Sequence, residues 1–240
     1  MANPLKALFR AMQGTQEAEP SLRPPRPSAI PAPQPEPEAP PPPPKAEPLL
    51  RHSPALQQFV HSLDTNRDLR LLDLGGANAA NIAFMTQLGT RLYSEDFFAT
   101  LEDCFGDGDF YENQRDPSRV DSFLVQTFSE QRGPFDGALV WDCLQFLRPS
   151  LLERTVDHLH RILEPGACLL AYFSAEDRGQ FVPQYQFRIQ DESSLLIDQR
   201  GEMPPGQTFT NRNIERLFED FAAIKFFLSR DSIREVLVRR

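Results

Sequence analysis

The chain of 240 residues has little cysteine and tryptophan: three cysteines and one tryptophan. Cys104, Cys143 and Cys168 are far apart, form no Cys-x-x-Cys pair and have no histidine at ligand spacing. They are expected to be reduced core residues in a reducing compartment, and a zinc site is not expected. Positive charge is short as well. The formal net charge of -9 argues against binding nucleic acid through its phosphates, which takes a basic face. Residues 222–240 are locally basic (Arg230, Arg234, Arg239, Arg240), which reads as charge on the solvent side of terminal strands. No apolar run reaches the roughly 18 residues of a membrane-spanning helix. The first fourteen residues also lack the apolar stretch of a secretory signal, so a cytoplasmic location and no membrane partner are expected.

Proline is abundant and unevenly placed. Most of the 23 prolines fall between Pro20 and Pro48. Residues 15–48 have almost nothing to bury, so residues 1–48 read as a disordered proline-rich region sampling extended conformations. Such an arm is a tether, and it can also feed an aromatic groove on a protein partner. Leu5, Leu8, Phe9 and Met12 share one helical face, in a stretch too short to be stable alone.

Order is expected from residue 49, with a leading helix within 49–67. Ser53-Pro54 is an N-cap followed by proline at the first helical position, and Leu56, Phe59, Val60 and Leu63 form the apolar stripe. Strands and helices then alternate. Leu69 to Leu74, Thr90 to Ser94, Phe135 to Trp141 and Ala167 to Phe173 read as strands. Helices are expected at 78–88, 97–105 and from Pro149 to the Pro165-Gly166 stop. Phe123 to Phe128 reads equally as a third strand or a helix end. Residues 176–209 break the alternation with a small hairpin, readable as a lid or a structural flap. Two strands close the chain, Ala222 to Leu228 and Ile233 to Val238, with a link so short that they must be antiparallel. The fold class is therefore α/β, a doubly wound, mostly parallel sheet over residues 68–240.

In such a sheet, ligands bind beyond the carboxyl ends of the strands. Asp73-Leu-Gly-Gly-Ala-Asn-Ala ends the first strand, and its small residues let backbone N–H groups approach a ligand closely. Glu95-Asp96 ends the second strand, where a carboxylate can accept both hydroxyls of a ribose.

Taken in order, these segments resemble the class I S-adenosylmethionine-dependent methyltransferases over nearly all of residues 68–240. The turn after Asp73 is similar to the family's first motif. Phe135-Asp-Gly-Ala-Leu-Val-Trp-Asp-Cys-Leu is similar to its fourth-strand motif, and His160-Arg-Ile-Leu-Glu-Pro-Gly-Ala-Cys-Leu-Leu to its Pro-Gly turn and fifth strand. The resemblance implies a Rossmann-like seven-stranded sheet with an antiparallel C-terminal strand, and S-adenosylmethionine as cofactor. It places Gly75 against the methionine part, with Asp73 organising the turn, and Asp96 or Glu95 on the ribose. Phe128 and Ser129 fall on the adenine side. Trp141 and Asp142 fall by the methyl donor, where a small-molecule or protein acceptor approaches, with Tyr185 also on the acceptor side. Ala77 and Ala79 stand where the family usually has glycine, and no Asn-Pro-Pro-Tyr or Asp-Pro-Pro-Tyr follows the fourth strand. Methyl transfer to nucleic-acid bases is therefore not expected. A non-catalytic methyltransferase-like module is the alternative.

Overall fold

The computed structural model describes residues 47–128, 134–175, 181–227 and 233–240. The amphipathic start, residues 15–46 of the proline-rich arm, Ser129 and the turn at 229–232 lie outside them. The first element is a strand, β1 (Leu49–His52), where only a helix was expected. Helix α1 (Pro54–His61) follows, and the Ser53 side chain accepts from Leu56 N as the cap. Such a cap contributes about 0.5–2 kcal/mol.

The central sheet contains β2 (Leu69–Asp73), β3 (Thr90–Ser94), β4 (Phe135–Trp141), β5 (Leu163–Ser174), β8 (Ala223–Phe227) and β9 (Ile233–Arg239). Their order is β3-β2-β4-β5-β9-β8. The first four run parallel, while β9 is antiparallel to both β5 and β8. The doubly wound sheet with a reversed C-terminal strand is thus present. Among the described residues it has six strands, not seven. The missing one is the segment around Phe123, which is the second half of helix α5 (Pro117–Thr127). Asp116 caps that helix, Pro117 opens it, and Val120, Phe123, Leu124 and Thr127 are buried at helical spacing. Strand β5 is also longer than expected and runs through Pro165-Gly166.

The other α-helices among the described residues are α2 (Ala79–Gln87), α3 (Phe97–Phe105), α4 (Phe110–Asn113), α6 (Pro149–Ile162) and α7 (Asn211–Leu217). One face of the sheet is packed by α3, α5, α6 and α7, through Leu101, Phe123, Leu159 and Ile214. The other face receives α1 and the hairpin β6 (Val182–Asp191) and β7 (Ser194–Met203). That hairpin is larger than expected. Strand β1 adds to β7, making a separate three-stranded sheet ordered β1-β7-β6. Its Phe187, Ile189, Leu195 and Ile197 pack against the same apolar cluster as Leu71, Leu139 and Tyr172 of the main sheet.

A buried polar network ties the start of the domain to its end. Arg51 donates to Glu235 Oε1 at 2.6 Å, and Ser53 Oγ and Ala55 N both donate to Glu235 Oε2 at 2.9 Å. Ser53 Oγ also shares a hydrogen with the Tyr172 hydroxyl at 2.8 Å. Both oxygens of this fully buried carboxylate are occupied, the condition under which a buried charge is tolerated.

Candidate functional site

The carboxyl ends of β2, β3 and β4 meet at one cleft, where a sheet of this kind binds its ligands. Strand β2 ends in Asp73, whose buried Oδ1 accepts from Gly75 N at 2.9 Å and from Trp141 Nε1 at 2.6 Å. Burial raises the Asp73 pKa above the ordinary carboxylate value, opposed by the bonds from Trp141, Gly75 and Asn81. The turn after Asp73 is knitted to the end of β3. Glu95 N donates to Asp73 O at 2.8 Å and Gly76 N donates to Glu95 O at 3.0 Å. Gly76 has φ +78, a left-handed conformation that glycine adopts without steric cost.

Gly75 is needed for a different reason. A Cβ there would lie 2.8 Å from Cδ1 and Nε1 of Trp141. Trp141 is the only non-glycine with positive φ (+55) among the described residues. Such backbone strain costs on the order of 1–3 kcal/mol and persists only where the surroundings hold it. Here the bond to Asp73 holds it, together with near-parallel stacking on Phe187 (5.1 Å) and Tyr172 (6.0 Å).

The cleft has a volume of about 250 Å3. Gly75, Asp96, Trp141, Asp142 and Tyr185 line it, so five of the expected residues are brought together. Phe98, Gln184 and Arg200 line it too and were not anticipated. Phe98 was legible only as an aromatic next to the acidic pair, and Gln184 and Arg200 arrive on the hairpin. Asp96 Oδ1 caps α3 through Ala99 N at 3.0 Å, while its Oδ2 lies beside Gly76.

Other expected residues are elsewhere. Glu95 contributes backbone bonds to the turn and does not line the cleft. Ala77 is exposed outside it. Phe128, expected on the adenine side, does not line the cleft. It is buried in the core of the opposite face, stacked on His158 at 4.9 Å, because α5 ends where a strand end was expected. Ser129 lies outside the described residues.

Asp142, Tyr185 and Phe187 also line a smaller cavity of about 100 Å3, together with Gln145, Tyr172 and Phe173. Asp142 Oδ2 accepts from Tyr185 N at 2.9 Å, and its Oδ1 has no partner among the described residues. Burial pushes its pKa up to about 7. A larger, open depression between α6 and α7, lined by Glu153, Asp157, Arg216 and Asp220, holds none of the expected residues. No group of acidic, histidine and cysteine side chains suited to a metal occurs among the described residues. Among these residues no helix is long and apolar enough to cross a membrane.

The sheet order and the reversed terminal strand define the class as a doubly wound α/β fold with a mostly parallel sheet. No family model and no curated relative matches the sequence. Several solved structures are similar in chain path. One is a 1,6-didemethyltoxoflavin-N1-methyltransferase from Burkholderia thailandensis with bound S-adenosylhomocysteine. It is 15% identical over 78% of this chain and 79% of its own, with a TM-score of 0.41. Human N-acetylserotonin methyltransferase in complex with S-adenosylmethionine is 14% identical over 78% of this chain, with a TM-score of 0.42. The match spans only 52% of that human chain. The N-methyltransferase NodS of Bradyrhizobium japonicum, with S-adenosylhomocysteine, is 13% identical over 78% of this chain and 88% of its own, with a TM-score of 0.40.

At the cleft Asp96 presents an exposed carboxylate and Phe98 a half-buried aromatic ring. Asp73 is buried with its Oδ1 taken by Trp141 and Gly75, and it does not line the cleft.

Proposed function

We propose that this domain is an S-adenosylmethionine-dependent methyltransferase acting on a small-molecule acceptor in the cytoplasm. The observation that carries the reading is the convergence of Gly75, Asp96, Trp141, Asp142 and Tyr185 on one cleft at the strand ends. When bound, the cofactor supplies an electrophilic methyl group on sulfur. The chain's own residues hold and orient. Asp96 accepts from the ribose hydroxyls, the Gly75-Gly76 turn gives a close backbone approach, and Phe98 offers a ring to the base. The apolar rings of Trp141 and Phe187 exclude water. Rate acceleration then comes chiefly from placing the acceptor in line with the donor.

Calorimetric titration with S-adenosylhomocysteine tests this reading. Micromolar binding, about -8 kcal/mol, is expected. Asp96→Ala should cost about 1.5–3 kcal/mol of it, as for hydrogen bonds to a charged group, and Glu95→Ala much less. An intact fold with no binding at millimolar ligand would sink the reading. A second reading, a non-catalytic methyltransferase-like module, is favoured by one observation. The 250 Å3 cleft is smaller than the roughly 300–1,000 Å3 of pockets that enclose drug-sized ligands, and Trp141 crowds Gly75 within it. In either reading the proline-rich arm is a tether able to recruit a protein partner.

A further inference from the structure

The small cavity behind the cleft combines features that belong together. It shares Asp142, Tyr185 and Phe187 with the cleft, so an occupant would abut whatever the cleft holds. Its volume of about 100 Å3 is below the about 150 Å3 that admits benzene, which suits the reacting edge of one ring. Tyr172 and Phe187 on its wall are near-parallel (4.9 Å, 13°) and present a flat aromatic stack. Among the described residues no arginine, lysine or histidine lines it, so none of these gives an anion a counter-charge beside the acidic Asp142. Of its other polar groups, Gln145 Oε1 accepts from Ser174 N at 2.9 Å, and the Tyr172 hydroxyl is paired with Ser53. Asp142 is different. Nearly all its surface is buried, one oxygen is fixed by Tyr185 N–H, and the other lacks a donor among the described residues. Leaving a buried acceptor unsatisfied costs about 1–3 kcal/mol, a deficit that a ligand donor would remove.

We infer that this cavity is the acceptor subsite, and that it takes the edge of a neutral planar ring bearing an O–H or N–H that donates to Asp142. The inference rests on the methyltransferase reading for the word acceptor, but the ring site itself does not need the cofactor. Orientation follows from the wall. The ring extends the Tyr172–Phe187 stack, its donor meets Asp142, and the donor atom is turned towards the cleft that Asp142 borders. Asp142 can then accept the proton that the ring loses on methylation, since a carboxyl titrating near neutrality exchanges protons readily.

Trp141 is the sole tryptophan of the chain and stacks on both ring walls, so its emission reports the cavity. The full chain is titrated with phenol, anisole, benzoate and tetramethylammonium, and separately with S-adenosylhomocysteine. Phenol is expected to bind about tenfold tighter than anisole, the loss that about 1.4 kcal/mol of hydrogen bonding represents. Benzoate and tetramethylammonium are expected to bind less well than phenol. Asp142→Asn keeps the shape and the bond from Tyr185 N–H but puts an amide nitrogen in place of the free oxygen. It should abolish the preference for phenol over anisole. Equal binding of phenol and anisole to the wild type, tighter binding of either ion, a preference that survives Asp142→Asn, or no ring binding at all would each overturn the inference. S-adenosylhomocysteine binding without ring binding overturns it while the proposed function stands. Ring binding without S-adenosylhomocysteine binding removes the function and leaves a ring-binding cavity.

Discussion

Two regions of this molecule bury carboxylates, and they treat them in opposite ways. Glu235 lies under β1 and α1 with both oxygens occupied by Arg51, Ser53 and Ala55. Asp73 and Asp142 lie at the strand ends beside the cleft, and each has an oxygen that accepts no hydrogen bond within the described residues. A satisfied buried charge holds two distant pieces of chain in register. An incompletely satisfied one costs stability where it sits, and such groups are concentrated at functional sites. The difference separates scaffold from site without reference to any relative.

The largest effect should come from the satisfied network. Glu235→Ala takes the carboxylate partner away from the buried Arg51 guanidinium and should lower unfolding free energy by about 3–5 kcal/mol in denaturant titration. A loss below about 1 kcal/mol, the size of a surface pair, would erase the contrast with the site carboxylates. The next test concerns pH. The folded-state pKa of Asp142 is raised to about 7 from an ordinary 3.8, so between those values the folded state binds more protons than the unfolded one. Stability is therefore greatest below the lower value and falls as pH rises through 7, by up to about 4 kcal/mol. Asp142→Asn should flatten that fall, leaving the same-signed but separate contribution of Asp73. Melting curves from pH 5 to 8 that are parallel for both proteins would show that Asp142 is not the titrating group.

Smaller effects sharpen the boundary between the two regions. Gly75→Ala drives a methyl group into the indole of Trp141 and should cost about 1–3 kcal/mol, as overpacking does. The displaced indole should change its emission, and an unmoved spectrum would show that the turn, not Trp141, had given way. Smallest of all, a chain beginning at Pro48 keeps β1 and the Arg51–Glu235 pair and should melt within about 3 °C of the full chain, equivalent to under about 1 kcal/mol. A drop beyond that would place part of residues 1–47 in the packed domain.

Local signals made much of the fold legible. Ser53-Pro54 announced α1, and the apolar runs of β2 and β4 announced strands buried on both faces. Asp116-Pro117 carried the same cap-and-proline signature for α5. Weighing it would have settled the Phe123 segment as helix and removed Phe128 from the ligand side. Strand β1 had no comparable signal. Leu49 and Leu50 are exposed, and the segment is a strand only because β7 pairs with it across the chain.

The alternation of strands and helices, the acidic and glycine-rich strand ends, and the place of the cleft beyond the strand ends were all legible in local sequence. These follow from caps, periodicity and turn chemistry, which act over a few neighbouring residues. Which of those residues line the cleft followed from long-range packing. The bond between Trp141 and Asp73 spans 68 positions, and that from Tyr185 to Asp142 spans 43. Whether a carboxylate is quenched or left with an open oxygen depends on what folding brings against it, because desolvation and partners come from elements remote in the chain.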